Sequence, residues 1–410
     1  MMRKLLFVES NTTGSGMRAL VTAAELGFEP VLLTSRPSRY RGLDQTGATV
    51  ADCQTNDFDA LLAASRALGT GSAIAGATTT SEFYLFQAAR LAEALGLPGN
   101  PPEAVSVCRD KGRTRRLLAA AGVGQPDFEL VQALGQLPAA LERIGLPAVV
   151  KPVDESGSLN VRLCHDEAEA TELTMRVLAV QTNTRDQPAA GRVLVEEYVQ
   201  APEYSVEMFS VNGVAHALGV TEKTMAPPPF FVEAGHVFPA PLATDVRRLL
   251  LAEVAAALSA TGIRNGPTHT EVRLHPERGP VVIEINARMA GGMIPELMRL
   301  ATGADVLRAQ IVAASGAKPA LPDRASAVAG IRFLLTESEG VLDAVSGVRD
   351  AAALEGISEV TVTAQKGTRV RRPQSSYDRL GYVIGTGATP EEVRQRLAAA
   401  VTAIGFDIVV

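Results

Sequence analysis

The sequence has no excess of basic residues, no closely spaced cysteines and no long apolar run, and each lack removes a class of function. Lys and Arg number 39 against 45 Asp and Glu, giving a formal charge of −6. The basic surface that marks most nucleic-acid binders is therefore missing, and no nucleic-acid partner is expected. The three cysteines, Cys53, Cys108 and Cys164, stand far apart without a CxxC pair. They read as reduced thiols of a cytoplasmic protein, not as a disulfide framework or a metal cluster. No apolar stretch approaches the roughly 20 residues that span a bilayer, so no membrane partner is expected. The opening MMRKLLFVES carries a short apolar run that leads directly into a polar turn; it reads as a first strand and not as a targeting segment.

At 410 residues the chain exceeds what one compact core usually holds, so several packed subdomains are expected. Over the first hundred residues strand-like runs (4–10, 30–35, 48–53, 72–80) alternate with helical patterns (17–27, 58–68, 82–97). That alternation predicts a parallel sheet covered by helices. After 109 the texture changes. A cationic helix (110–122) precedes a hairpin (146–164), a helix (167–181) and successive strands (192–199, 203–211, 214–223), which predict an antiparallel, α+β half. The proline-rich segment 224–242 is expected to be irregular, since proline restricts itself and its predecessor, and a loop of that length is usually functional. A long helix (245–262) and a second hairpin (268–275 with 279–292) follow. Beyond 321 short strands return, and the helical pattern at 389–405 has Thr389 as N-cap and Glu392 at the third helical position.

Three groups of residues carry chemistry. Lys151 ends the apolar run VVK, and the turn Ser156, Gly157, Ser158 lies just beyond it. An ammonium beside a small-residue turn can surround a phosphate with one charge and several N–H donors. Lys111 is a second candidate cation at a helix start. Glu271 lies on THTEVRL, and Glu284, Asn286 and Arg288 lie on VVIEINARM. Residues two apart on a strand share a face, so the last three are expected to point one way from an otherwise apolar element. Two carboxylates and an amide oxygen are hard ligands suited to Mg²⁺, and a guanidinium beside them suits phosphoryl transfer. Glu196, Glu197 and Glu203 flank the short connection after VLVEEYV, where backbone groups can meet an adenine edge and a carboxylate can meet ribose hydroxyls. Each feature alone has a plain structural explanation; their order along the chain does not.

That order, a lysine, a lysine beside a Gly/Ser turn, a Glu-rich connection and a split Glu…Glu-x-Asn-x-Arg set, resembles the ATP-grasp superfamily. The resemblance covers roughly residues 1–320, with its specific part from Lys111 to Arg288. GPTHTEVRL and VIEINARMAGGMIPEL are most similar to the amino-acid (dipeptide) ligases and carnosine-synthase-like enzymes, and the last stretch resembles the small β-rich domain of biotin-carboxylase-like members. The implied layout is a Rossmann-like parallel-sheet domain (1–108), linker helices with a lid subdomain (109–200), an antiparallel catalytic subdomain (201–320) and a β-rich domain (321–410). The implied activity is ATP-dependent carboxylate–amine ligation through an acyl phosphate, on small-molecule substrates: a carboxylate such as an amino acid, and an amine.

The resemblance also implies roles. Lys111 and Lys151 contact the ATP phosphates, and Ser156, Gly157 and Ser158 form the covering loop. Glu196, Glu197 and Val199 frame the adenine, and Glu203 binds the ribose. Glu271, Glu284 and Asn286 hold two Mg²⁺ or Mn²⁺ ions. Arg288 stabilises the transferring phosphate. His269, on the same strand face as Glu271, faces substrate. On the Pro-rich loop Glu233 takes a substrate ammonium and His236 lines the same pocket, while the backbone at Gly291 and Gly292 holds a carboxylate. Homodimers are common in the group, so a homodimer is one expected assembly. Two other functions compete. Gly14-Ser15-Gly16-Met17-Arg18-Ala19 matches the dinucleotide fingerprint, and Arg36 suits a 2′-phosphate, as in an NADP-dependent oxidoreductase. A carboxylase would phosphorylate bicarbonate on the same scaffold.

Overall fold

The structure is a computed structural model that describes residues 2–12, 14–69, 71–321 and 325–409. The N-terminal part is a parallel sheet in the order Thr49–Asp52, Glu29–Thr34, Lys4–Val8, Ile74–Thr78. The runs Leu5–Val8 and Val31–Leu33 are apolar at every position because both sheet faces are covered. Leu6, Val8, Val31 and Leu33 pack on helices Phe58–Ala67 and Leu85–Ala94; Leu5, Phe7 and Leu32 pack on Ser15–Glu25 and on Leu307 and Ile311 of Val306–Ala314. Gly16 has no room for a side chain, since a Cβ there would sit 1.8 Å from the Asn11 carbonyl oxygen.

A second sheet forms the lid: Phe128–Val131, Val193–Glu197, Ala148–Pro152 and Arg162–Cys164, antiparallel throughout. Helices Leu137–Ile144 and Glu167–Leu178 close its outer face over Val131, Val150, Val193 and Val195. Neither Phe128–Val131 nor Leu137–Ile144 was marked by periodicity; both are short, and they stand only because the lid sheet covers them.

The largest element is an eight-stranded antiparallel sheet in the order Gly279–Asn286, Gly266–His275, Glu203–Val211, Val214–Met225, Glu233–Phe238, Val328–Leu334, Gly381–Gly387, Ile357–Val362. It runs continuously across residue 321 into the C-terminal part, where Arg369–Val370, Gly340–Ser346 and Gly405–Val409 make a small sheet of their own. Helix Thr244–Thr261 buries Leu250, Val254, Ala257 and Leu258 under one face of the large sheet, against Val206, Met208, Val220, Val272, Val282 and Ile285. The opposite face of the same strands carries Glu203, Glu207, Lys223, His269, Glu271 and Arg273, and beyond them Phe209 packs on helix Ile294–Thr302.

Two expectations are corrected. The segment 224–242 is not wholly irregular: Val214–Met225 extends into it, and Glu233–Phe238 is a ladder strand within it. Its prolines cluster at 227–229, 239 and 241, leaving FFVEAGHVF free to donate every amide. The last strand of the metal-type hairpin stops at Asn286 and does not reach 292, so Arg288 lies beyond the sheet on an irregular turn. Among the described residues no helix is long and apolar enough to cross a membrane, and all three cysteines are free thiols.

Candidate active site

The polar face of the large sheet is a grid set by strand register. Glu271 pairs with Glu284 and His269 with Asn286 on one side, while His269 meets Glu207 and Arg273 meets Glu203 on the other. Lys223 pairs with Glu203 one strand further. Cross-strand partners project to one face, so a period of two on four strands brings these side chains together. A register irregularity between Glu271 and Val272 leaves Ile283 without a partner. The carbonyls of Val282 and Ile283 there accept from Arg115 Nη1 and Nη2 at 3.1 and 2.6 Å. A bulge next to a site re-aims side chains in this way.

Lys223 is the hub of the grid. Its ammonium lies 2.7 Å from Glu203, 3.0 Å from Glu233 and 2.8 Å from Glu271. Burial alone would depress it, but the carboxylates of Glu203, Glu271 and Glu233 hold it well above the usual lysine value. Glu203 also takes Arg273 Nε and Nη2 at 3.0 and 2.9 Å. His269 Nδ1 lies 3.0 Å from Glu207, and its Nε2 lies 3.4 Å from Glu271. Burial pushes that imidazole down, but Glu207 and Glu271 raise it to about 10, so it is an imidazolium at neutral pH.

The lid supplies the facing wall. Lys151 is buried, with its ammonium 2.5 Å from Glu196 Oε2, and Glu196 Oε1 accepts from Arg115 Nε at 2.6 Å. Burial lowers Lys151, with Glu196 opposing. Lys111 opens its helix after Asp110, which caps it by accepting from Arg113 N. Its ammonium donates to Glu155 O at 2.8 Å and lies 3.2 Å from Glu284 Oε1. The turn beyond Lys151 holds Gly157 at φ 69° and Ser158 at φ 58°. Gly157 O accepts from Ser376 N at 3.1 Å, and Tyr377 packs on it from the C-terminal part.

These walls enclose a cavity of about 340 Å³. It is lined by Lys111, Lys151, Ser156, Gly157, Ser158, Glu196, Glu197, Val199, Glu203, Glu233, His269, Glu271, Glu284, Asn286, Arg288, Gly291 and Gly292. All the residues that the ATP-grasp resemblance singled out are there except His236. That histidine is corrected: it is buried behind the wall, edge-on to Phe333 with centroids 5.6 Å apart, and its Nε2 lies where a Cβ on Gly292 would meet it at 2.6 Å. Burial lowers it to about 4, so it is neutral. Three other side chains reach the wall already committed to partners. Glu233 bridges Lys223 and Arg379, Glu197 pairs with Arg278, and Glu196 anchors Lys151. Arg288 turns away from the strand and donates to Glu82 of the N-terminal domain, with Nε at 2.9 Å. Burial would raise Glu82, but Arg288, Arg109 and Lys111 hold it at about 2.

A divalent ion fits the donor set. Glu271 and Glu284 are register partners on one face, each with a side chain about one-fifth exposed to the cavity, and Asn286 stands one step along. Two carboxylates and an amide leave several coordination positions for phosphate oxygens and water, the usual habit of Mg²⁺. Sequence reasoning missed Lys223, Arg273, Arg115, Glu82 and Arg379. A charged residue inside an apolar strand was the available signal for Lys223 and Arg273; for Glu82 there was none.

A larger chamber of about 710 Å³ adjoins the cavity and shares Ser156, Arg288, Gly291, Gly292 and Tyr377 with it. Its far wall is the N-terminal loop with Asn11, Gly14 and Ser15. Arg36, the residue suited to a 2′-phosphate, is instead 3.1 Å from Asp186.

Comparison with known proteins bears on the family and the fold. The family model described as "ATP-grasp domain" matches residues 144–296, and "L-amino acid ligase C-terminal domain 2" matches 332–409. A protein of Sinorhizobium fredii (strain NBRC 101917 / NGR234), named "Uncharacterized protein y4rH", is 34% identical over 99% of this chain and 84% of its own length. Carnosine synthase 1 of Gallus gallus is 29% identical over 78% of this chain, which spans 35% of that protein. Among solved structures, the L-amino acid ligase from Bacillus licheniformis superposes with a TM-score of 0.81 at 24% identity, over 100% of this chain and 99% of that one.

Proposed function

The chain belongs to the ATP-grasp ligases, and from that premise we propose that it joins a carboxylate to an amine at the expense of ATP, through an acyl phosphate. The observation that carries the reading is the convergence of Glu271, Glu284, Lys111, Lys151 and Arg288 on one cavity from three separate parts of the fold.

The first step makes a bond between a carboxylate oxygen and the γ-phosphorus and breaks the bond to ADP. Lys151, held at the cavity wall by Glu196, and Lys111 beside Glu284 bind the phosphates. The Ser156–Gly157–Ser158 turn covers them, keeping water from the acyl phosphate, whose hydrolysis is the competing loss. Glu271, Glu284 and Asn286 would hold one or two Mg²⁺ ions, which neutralise phosphate charge when bound. In the second step the amine nitrogen bonds to the acyl carbon, the bond from that carbon to the phosphate oxygen breaks, and the departing phosphate takes up the proton that the nitrogen gives up. Arg288, oriented by Glu82, meets the charge on the transferring phosphate and the acyl oxygen. His269 is already protonated, so it acts as a fixed positive charge beside Glu271 and not as a general base. Glu203 and Val199 line the end of the cavity nearest the connection that follows the lid strand, where the nucleoside is placed.

The test is phosphate release with Mg²⁺-ATP against a matrix of amino-acid pairs, repeated on Glu284→Ala. Amide product with equimolar ADP in the wild type, and loss of both in the variant, is the expected result. Near-normal ADP production by Glu284→Ala would overturn the metal assignment.

A further inference from the structure

The chamber beside the cavity is walled by four arginines, Arg18, Arg185, Arg288 and Arg299. Three are committed to carboxylates. Arg18 lies 3.5 Å from Glu296 and 3.2 Å from Asp305, Arg299 pairs with Glu296, and Arg288 pairs with Glu82. Arg185 alone has no acidic partner among the described residues. Its neighbour Asp186 does not serve, being engaged by Arg36 at 3.1 Å and Arg39 at 3.4 Å.

Arg185 is nevertheless held in place. It sits at the tip of a tight turn between the lid helix Glu167–Leu178 and the lid strand Val193–Glu197. Within that turn Asn183 N donates to Gln187 O at 2.9 Å, Ala189 N donates to Gln181 O at 3.0 Å, and Arg185 N donates to Asn183 Oδ1 at 2.9 Å. The tip is docked at the chamber wall onto the N-terminal part. Asn56 Nδ2 donates to Arg185 O at 3.0 Å, and Gln187 Nε2 donates to Phe83 O at 3.0 Å. A backbone pinned this firmly presents a charged side chain at little further ordering cost to a ligand.

We propose that Arg185 receives the carboxylate of the acceptor amine, so that the chamber selects amino acids over amines lacking an acidic group. The inference rests on the ligase reading. The acceptor nitrogen must reach the acyl carbon by Arg288 and Gly291, where the chamber meets the nucleotide cavity. An amino acid placed so carries a second charge into the chamber, and a desolvated carboxylate needs a cation. Every other guanidinium on the wall would have to abandon a carboxylate to supply one. Arg185 offers a planar fork that matches the group bidentately.

The experiment uses the full chain with glycine, L-alanine, β-alanine and L-histidine as acceptors, each beside its carboxamide, which keeps size and removes charge. For wild type, kcat/KM favours the acid over the carboxamide by roughly ten- to a hundredfold, the range of one charge-assisted hydrogen-bonded pair. Arg185→Gln collapses that ratio to within about threefold by raising the acid's KM more than it lowers kcat. Arg185→Lys keeps part of the ratio, because the charge remains without the fork, and this variant carries the test should Arg185→Gln not fold. Wild type that ligates amino acids without preferring them to carboxamides, or Arg185→Gln that retains the preference, overturns the proposal and leaves the ligase reading standing. Wild type that ligates no acceptor overturns both.

Discussion

Lys223 gives the sharpest test of the charge grid. Its side chain is 1% exposed and reaches three carboxylates at 2.7, 2.8 and 3.0 Å. Lys223→Met keeps the volume and removes the charge. Taking one partner from a buried ion pair typically costs about 3–5 kcal/mol, because the charge left behind is uncompensated. Here the loss is uneven. Glu203 keeps Arg273 at 2.9 Å and Glu233 keeps Arg379 at 2.8 Å, but Glu271 is left with the His269 imidazolium at 3.4 Å. One carboxylate of the three is poorly matched, so the cost belongs near the low end, about 3 kcal/mol at pH 7.

The pH dependence separates this account from a simple packing defect. Burial would raise the Glu271 carboxyl, but Lys223 and His269 hold it well below the ordinary glutamate value. A depressed carboxyl contributes stability that is present above the unfolded pKa, about 4.3, and lost only as pH falls through the folded value. Without Lys223 the folded value rises, and Glu271 protonates at a pH where the wild type remains charged. The deficit of Lys223→Met is therefore full at pH 7 and shrinks on approaching pH 4.5. The chain has no tryptophan, so urea unfolding is followed by far-ultraviolet circular dichroism at both pH values. A deficit under about 1 kcal/mol at pH 7, or an equal deficit at the two, refutes the reasoning.

Two further changes probe the charges on and around the cavity. His269 is raised to about 10, so its contribution is fully present below the unfolded pKa of about 6.5 and is lost as pH rises through 10; melting curves at pH 6 and 10 should show an alkaline loss that Glu207's partner supplies, and Glu207's partner replaced, as His269→Gln, should remove it. A wild-type imidazole that titrates near 6.5 in a proton NMR series contradicts this. Glu82→Gln strips the charge that orients Arg288 and Arg109 while leaving the fold's size unchanged; ADP release should fall roughly 10²–10³-fold, as when a positioned group at a developing charge is disturbed, and activity within twofold of wild type would show that Arg288 does not depend on it.

What could be read from the chain, and what could not, divides by distance along the sequence. The Rossmann-like half was legible because each strand there is short, apolar and buried on both faces, so periodicity and burial coincide. Glu271 and Glu284 were legible because they stand only thirteen positions apart on one hairpin, and the turn between them fixes their pairing. Lys223 meets Glu271 only because the strands come in the order Gly266–His275, Glu203–Val211, Val214–Met225, an order no local pattern encodes. The same holds more strongly for Glu82, which sits 206 residues from Arg288 and belongs to a different sheet's surroundings. The anchoring partners followed the same line. Glu196, which the family resemblance places beside the adenine, lines the cavity, and Arg115 and Lys151 arrive from other elements to pair with its buried carboxylate. The residues proposed to meet a ligand announce themselves by being polar where a strand should be apolar. The residues that hold them in place are ordinary until the fold brings their partners, and a buried charge is tolerated only when those partners are present. Replacing a positioning residue such as Glu196 should therefore damage stability and activity together, whereas replacing Glu284, whose side chain is one-fifth exposed and whose one ion pair among the described residues is with Lys111, should damage activity far more than stability.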